Sequence, residues 1–93
     1  MRTIERTNQF KHDFKRLLKG SAGGFLDTCF IGVLEFLIAD IALPIKFHDH
    51  ALVGNWDDHR DCHIKPDIVL IYRKPDFQVL QLVRIGSHSD LGL

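Results

Sequence analysis

The chain has 93 residues, enough for one small domain that buries about two-thirds of its unfolded surface and too few for two cores, which excludes a multidomain enzyme. Hydrophobic residues at 45% and charged residues at 26% exclude disordered and collagen-like chains. Twelve Lys and Arg against twelve Asp and Glu do not describe a uniformly cationic nucleic-acid binder.

The charge is unevenly placed. Residues 1–20 hold six basic and two acidic side chains, 21–64 two and seven, 65–85 four and two, and beyond them only Asp90 is charged. Five of the six histidines lie between His48 and His88, and their protonation makes the protein net positive below about pH 6.5. Cys29 and Cys62 form no C-x-x-C pair and indicate no disulfide framework, so a reducing cytoplasm is expected. The N-terminal segment mixes charged with apolar residues and lacks the apolar run of a secretory signal.

Thr3 to Arg6 reads as extended. Thr7-Asn8 then starts a helix with Phe10, Phe14, Leu17 and Leu18 at helical spacing and Lys11, Lys15 and Lys19 on its other side. Gly20-Ser21-Ala22-Gly23-Gly24 is expected to end it and to make a helical hairpin. The second helix, about Phe25 to Asp40, carries Leu26, Cys29, Phe30, Val33, Leu34, Leu37 and Ile38 on a broad stripe flanked by Ile31 and Phe36. A membrane span needs about 20 consecutive apolar residues, and Asp27, Glu35 and Asp40 interrupt this one, so burial by a sheet and by a partner is expected.

Pro44 closes the helical region. Short extended runs follow, separated by Gly54-Asn55, Lys65-Pro66 and Pro75-Asp76, which predicts an antiparallel meander. Asp67 to Tyr72 suits a central strand, and Val79 to Ile85 alternates more. The expected fold is α+β, with two helices packed on one sheet.

If His59 to Ile64 is a strand, alternation puts His59, Asp61 and His63 on one face and Arg60, Cys62 and Ile64 on the other. A turn at Lys65-Pro66 would bring Asp67 directly or diagonally across from His63, where a carboxylate favours imidazolium and fixes a tautomer. Such a cluster has three readings. The histidines can simply sit on a solvated face. They can bind zinc, with His48, His50, His59, Cys62 and His63 as plausible ligands, although no established ligand spacing occurs and a strand aims Cys62 away from His63. Or they perform metal-free acid-base chemistry, for which RNA cleavage is suited: the 2′-hydroxyl attacks the adjacent phosphate while one group takes its proton, another protonates the departing 5′-oxygen, and cations offset the added charge. Arg84, Lys65, Arg60 or Arg73 are the candidate cations. Trp56 either stacks on a base or packs, and Tyr72 reads as core.

Three ordered segments, Asp49-His50-Ala51-Leu52-Val53-Gly54-Asn55-Trp56, Arg60-Asp61-Cys62-His63-Ile64-Lys65-Pro66-Asp67-Ile68-Val69-Leu70-Ile71-Tyr72 and Arg84-Ile85-Gly86-Ser87-His88-Ser89-Asp90-Leu91, resemble the YafQ-like branch of the RelE/ParE toxin superfamily. The match covers the C-terminal half, while the two N-terminal helices agree in type and position. The resemblance implies a RelE-like fold, a two-helix hairpin on a mostly antiparallel sheet of four to five strands. It also implies a cytoplasmic toxin of a bacterial type II toxin-antitoxin pair that cuts mRNA in the ribosomal A site without a cofactor or metal and is neutralised by a protein antitoxin. Contact with a membrane is not expected, and contact with DNA only through the antitoxin complex.

By position, the family's active-site residues fall on His50, His63, Asp67 and His88, with Asp61 beside them. The expected roles are His88 as general acid, His50 or an Asp67-paired His63 as base, and Arg84 as the cation on the phosphate. Leu91-Gly92-Leu93 stand where relatives commonly carry an aromatic residue, and the balanced charge departs from the basic character usual in ribosome-binding toxins. Two alternatives keep the fold without the nuclease. One is a ParE-like toxin acting on DNA gyrase, against which His50, His63 and His88 occurring together argue. The other is an interaction module using the apolar second helix.

Overall fold

Thr7 makes the first change of direction. It lies in extended backbone, and its hydroxyl accepts a hydrogen bond from the Phe10 N–H at 3.0 Å while donating to the Val83 carbonyl at 2.8 Å. One side chain thus caps a helix, a contribution of about 1 kcal/mol, and ties it to a strand remote in sequence. The computed structural model describes residues 1–20 and 23–93, without the side chains of 23–27. The expected turn at Gly20 to Gly24 therefore falls partly outside the described residues, as does the side chain of Leu26.

The elements are β1 (Thr3–Arg6), α1 (Asn8–Leu18), α2 (Gly23–Ile38), β2 (His50–Ala51), β3 (Arg60–Lys65), β4 (Ile68–Arg73), β5 (Val79–Gly86) and α3 (His88–Leu91), with 3-10 turns at Ile45–Phe47 and Gly54–Trp56. The five strands form one sheet in the order β1-β5-β4-β3-β2. The expected meander is β3-β4-β5, antiparallel throughout, while β1 adds a parallel edge beside β5. The short β2 and the four-residue α3 carry too few residues to show a period in the sequence.

Both helices pack on one face of the sheet. Phe10, Phe30, Val33 and Leu37 meet Cys62, Ile64, Leu70, Tyr72, Leu80, Leu82 and Ile85 in the main core, with Phe14, Leu17, Leu34 and Ile38 partly buried around it. Leu18, expected on the apolar stripe, is instead 44% exposed, because the stripe has rotated away from the sheet by the last turn of α1. Leu82 and Ile85 reach this core despite opposite parity. The β4–β5 register shifts between Ile71 and Tyr72, leaving Val83 as the extra residue of a bulge. No helix among the described residues is long and apolar enough to cross a membrane.

The opposite face of the sheet carries a smaller cluster in which Val69, Ile71 and Leu91 are buried against Leu52, Trp56 and Val83. α3 closes over this face. Its N-cap, Ser87, exchanges hydrogen bonds with Asp90 in a capping box, and Leu91 anchors it. Gly86 admits the helix this closely, since a Cβ there would stand 3.2 Å from the Cβ of Asp90.

α1 also buries a charge. Asp13 is 2% exposed and accepts hydrogen bonds from Arg84 at 2.8 and 3.0 Å, from the Ile85 N–H at 3.2 Å and from Gln9 at 3.3 Å. Burial by itself would raise the carboxyl's pKa, but these hydrogen bonds outweigh it and hold the pKa below the ordinary value of 3.8. Asp13→Asn is expected to lower the unfolding free energy by about 3 kcal/mol, as removing one partner of a buried pair does, read as a lower urea midpoint at unchanged slope. Because the folded-state pKa is depressed, Asp13's contribution is present above pH 3.8 and is lost as pH falls through its folded value. The gap between wild type and variant should therefore narrow in acid.

Candidate active site

Period two in β3 sends Cys62 and Ile64 into the helix-side core and leaves Asp61 and His63 on the other face. Register then sets the neighbours. His50 of β2 lies opposite Asp61, and His63 lies opposite Val69 and not Asp67. Asp67 sits in the turn after β3, 82% exposed, with a carboxylate oxygen 3.7 Å from Nδ1 of His88. The expected Asp67–His63 pairing is thus replaced by an Asp67–His88 pairing, because the register shift between His63 and Lys65 carries the turn toward α3.

Three imidazoles form a row. The ring of His63 lies 5.1 Å from that of His48 and 5.0 Å from that of His88, centroid to centroid. His50 stands beside them over Asp61, its Nδ1 3.0 Å from Asp61 Oδ1. That Nδ1 lies closer, at 2.7 Å, to the backbone carbonyl of His48. A carbonyl only accepts, so Nδ1 carries the proton and, in the neutral ring, Nε2 keeps its lone pair. His48, named from the sequence only as a zinc ligand, is the member of this row that sequence reasoning missed. It is placed by a left-handed backbone conformation, φ 50°, which the alternation argument could not see.

Asp61 lies beneath the rings with its side chain 4% exposed. Its Oδ1 has no hydrogen-bond partner among the described residues, because the His50 proton is directed at the His48 carbonyl. Burial pushes the Asp61 carboxyl up, while the charges of His50, His63 and His88 pull it down less strongly. His63 is shifted down, chiefly by burial and then by the charge of His88, against an opposing effect of Asp61. The shift favours its neutral form, able to accept a proton.

Arg84, Arg60 and Trp56, also expected at the site, make structural contacts. Arg84 gives Nε and a terminal nitrogen to Asp13, so one edge of its guanidinium is already engaged by a carboxylate. Arg60 is paired with Asp49 at 3.3 Å through two nitrogens. Asp49 also accepts a 2.6 Å hydrogen bond from the hydroxyl of Tyr72, which is core as expected at 2% exposure. Asp49 thereby fixes the chain between His48 and His50, a positioning role signalled in the sequence only by the His-Asp-His tripeptide. Trp56 packs on the minor core and meets the ring of His59 edge-on at 5.5 Å, so packing is the use the structure makes of it. His59 lies outside the row. Lys65 lines an open groove beside His63. Cys62 is fully buried and faces away from the histidines, and among the described residues no group of three or more His, Cys, Asp or Glu is arranged to hold a metal ion.

Comparison with known proteins identifies relatives of the whole chain. A family described as a bacterial toxin of type II toxin-antitoxin systems, YafQ, matches residues 2–92. A putative toxin YafQ of Haemophilus influenzae is 36% identical over 93 residues, covering 97% of this chain and 91% of that protein. The mRNA interferase toxin YafQ of Escherichia coli is 34% identical, with 97% of this chain and 95% of that protein covered. Among solved structures, a copper-bound mutant toxin from Helicobacter pylori superposes with a TM-score of 0.88 at 41% identity, covering 98% of this chain and 99% of that one. The toxin of the E. coli DinJ–YafQ complex superposes with a TM-score of 0.84 at 32% identity and covers 98% of each chain. With nearly its whole length matched in sequence and in fold, the chain belongs to the YafQ family of bacterial type II toxins.

Proposed function

We propose that this chain is an mRNA interferase, an endoribonuclease that cuts ribosome-bound mRNA in the A site by metal-free acid-base chemistry and so stops translation. The observation that carries the reading is the row His48–His63–His88, with ring spacings of 5.1 and 5.0 Å, beside His50 and over a buried carboxylate. An RNA linkage needs a base and an acid on either side of one phosphate, and imidazoles at this spacing reach both oxygens. The relatives named as mRNA interferases support the substrate class.

In the proposed reaction a neutral imidazole, His63 or His50, takes the 2′-hydroxyl proton. The 2′-oxygen forms a bond to phosphorus, the bond from phosphorus to the 5′-oxygen breaks, and His88 delivers a proton to that oxygen. The products are a 2′,3′-cyclic phosphate and a 5′-hydroxyl end. Asp67, 3.7 Å from His88, holds that ring in place. Asp61 stabilises the imidazolium that forms above it. With Arg84 engaged by Asp13, the charge on phosphate is met by imidazolium and by Lys65 at the groove. The ribosome supplies the in-line alignment that so open a site leaves to its substrate, an effect worth several kcal/mol.

The partner is a protein antitoxin encoded beside the toxin, as DinJ accompanies YafQ in the E. coli complex. The exposed Lys11, Lys15 and Lys19 offer it a basic face. The site of action is the cytoplasm, and DNA is reached only through the toxin-antitoxin complex.

His88→Ala should lower the rate of mRNA cleavage in a reconstituted translation system by about 10²-fold or more, the usual scale for a general acid. Equal cleavage by both proteins would defeat the nuclease reading. Because Asp61 favours the charged form of His63, Asp61→Asn should lower the His63 pKa further. The acid limb of the pH–rate profile, set by protonation of the base, should then move to lower pH. The antitoxin should raise the thermal stability of the toxin, by about 2.7 kcal/mol at a hundred times its Kd, and no gain in melting temperature would sink the partnership.

A further inference from the structure

A groove of 530 Å³ opens where α2 passes the first 3-10 turn and β3. Thr28, Cys29 and Gly32 form its helical wall, and Phe47 and Ile64 face them. His48 and His63, two rings of the candidate catalytic row, also line it. Its size falls within the about 300–1,000 Å³ typical of small-ligand pockets.

Three features point to its occupant. The groove is continuous with the site where the scissile phosphate would lie, so a strand held at His63 runs straight into it. Its charged lining is basic, with Lys46 and Lys65 and no Asp or Glu among the described residues that line it, which suits a phosphodiester chain. Its remaining lining is largely apolar, and the Lys46 ammonium lies 5.1 Å from the centroid of the Phe47 ring, an arrangement of apolar face and cation that accepts a nucleobase with its phosphate.

Gly32 supplies an independent argument. It lies in the interior of α2, where glycine weakens a helix relative to alanine. A Cβ at Gly32 would meet nothing within 4 Å, so no neighbouring atom requires its absence. What the missing side chain does is leave the wall of the groove flat. We infer that this groove binds the nucleotide adjoining the cleaved linkage, its base against the Cys29–Gly32 wall and Phe47 and its phosphate toward Lys46 and Lys65, and that it contributes to the choice of cleavage site. The inference rests on the nuclease reading above.

The test compares wild type, Gly32→Leu, which fills the groove from its wall, and Thr28→Trp, which covers it from the exposed rim. Each is assayed for mRNA cleavage in a reconstituted translation system, with every cut position mapped, and for antitoxin binding. Both variants are expected to bind antitoxin as wild type does, to cleave with KM raised about tenfold or more, and to change the preferred nucleotide beside the cut. Should Gly32→Leu fail to melt cooperatively, Thr28→Trp decides alone, since its side chain stays at the surface. Unaltered KM and cut positions in a folded variant would overturn the groove assignment while leaving the nuclease reading standing. Loss of antitoxin binding with unaltered cleavage would overturn it in favour of the antitoxin as occupant. Absence of cleavage by wild type would end the nuclease reading, and the groove assignment with it.

Discussion

β3 must satisfy two environments with six residues, and the site exists because it does so by strict alternation. Cys62 and Ile64 fill the core under the helices, which forces Asp61 and His63 onto the opposite face. A slip of one residue would bury an imidazole and a carboxylate among Phe30, Val33 and Leu37 and expose the two apolar groups, so the hydrophobic demand of the core fixes the register of the polar face. Asp61 bears the cost. Its Oδ1 is buried with no hydrogen-bond partner among the described residues, a condition that normally costs about 1–3 kcal/mol, and the imidazoles above it offset part of that cost.

The same economy of charge explains the arginines. Arg84 and Arg60 are the two arginines whose positions in the motifs suggested phosphate binding, and each is held by a carboxylate, Arg84 by the remote Asp13 and Arg60 by Asp49 of the preceding loop. The Asp13–Arg84 pair joins α1 to the bulged end of β5, immediately before the segment that delivers His88. The Asp49 contacts with Arg60 and Tyr72 fix the loop between His48 and His50. These arginines act as positioning residues for imidazoles.

Much of this was legible in the residues. Thr7, the apolar spacing of α1 and α2, and the run through Ile68–Arg73 announced the elements they form, and alternation in β3 separated Asp61 and His63 from Cys62 and Ile64. What escaped was set by irregular backbone. The bulge after His63 moved Asp67 from His63 to His88. The left-handed turn at His48 brought in a fourth imidazole. The bulge in β5 turned Leu82 and Ile85 to the same core. Asp13 was invisible for another reason. A carboxylate on a helix flanked by Lys11 and Lys15 reads as solvated, and only the return of β5 supplies the partner that makes its burial tolerable.

α3 shows how little local stability a helix requires when its surroundings supply the rest. Four residues cannot hold a helix by themselves, yet the capping box of Ser87 and Asp90 fixes its entry, Gly86 lets it lie close to β5, and Leu91 seats it on Val69 and Ile71. Leu91 is buried, so it acts as an anchor with no face left for stacking. His88 is therefore placed by the packing of its helix, with the Asp67 carboxylate 3.7 Å from its Nδ1. The three rings stand in one row because three poorly autonomous segments, the 3-10 turn before His48, the turn at Asp67 and α3, all lie against the one strand whose register the core has already set.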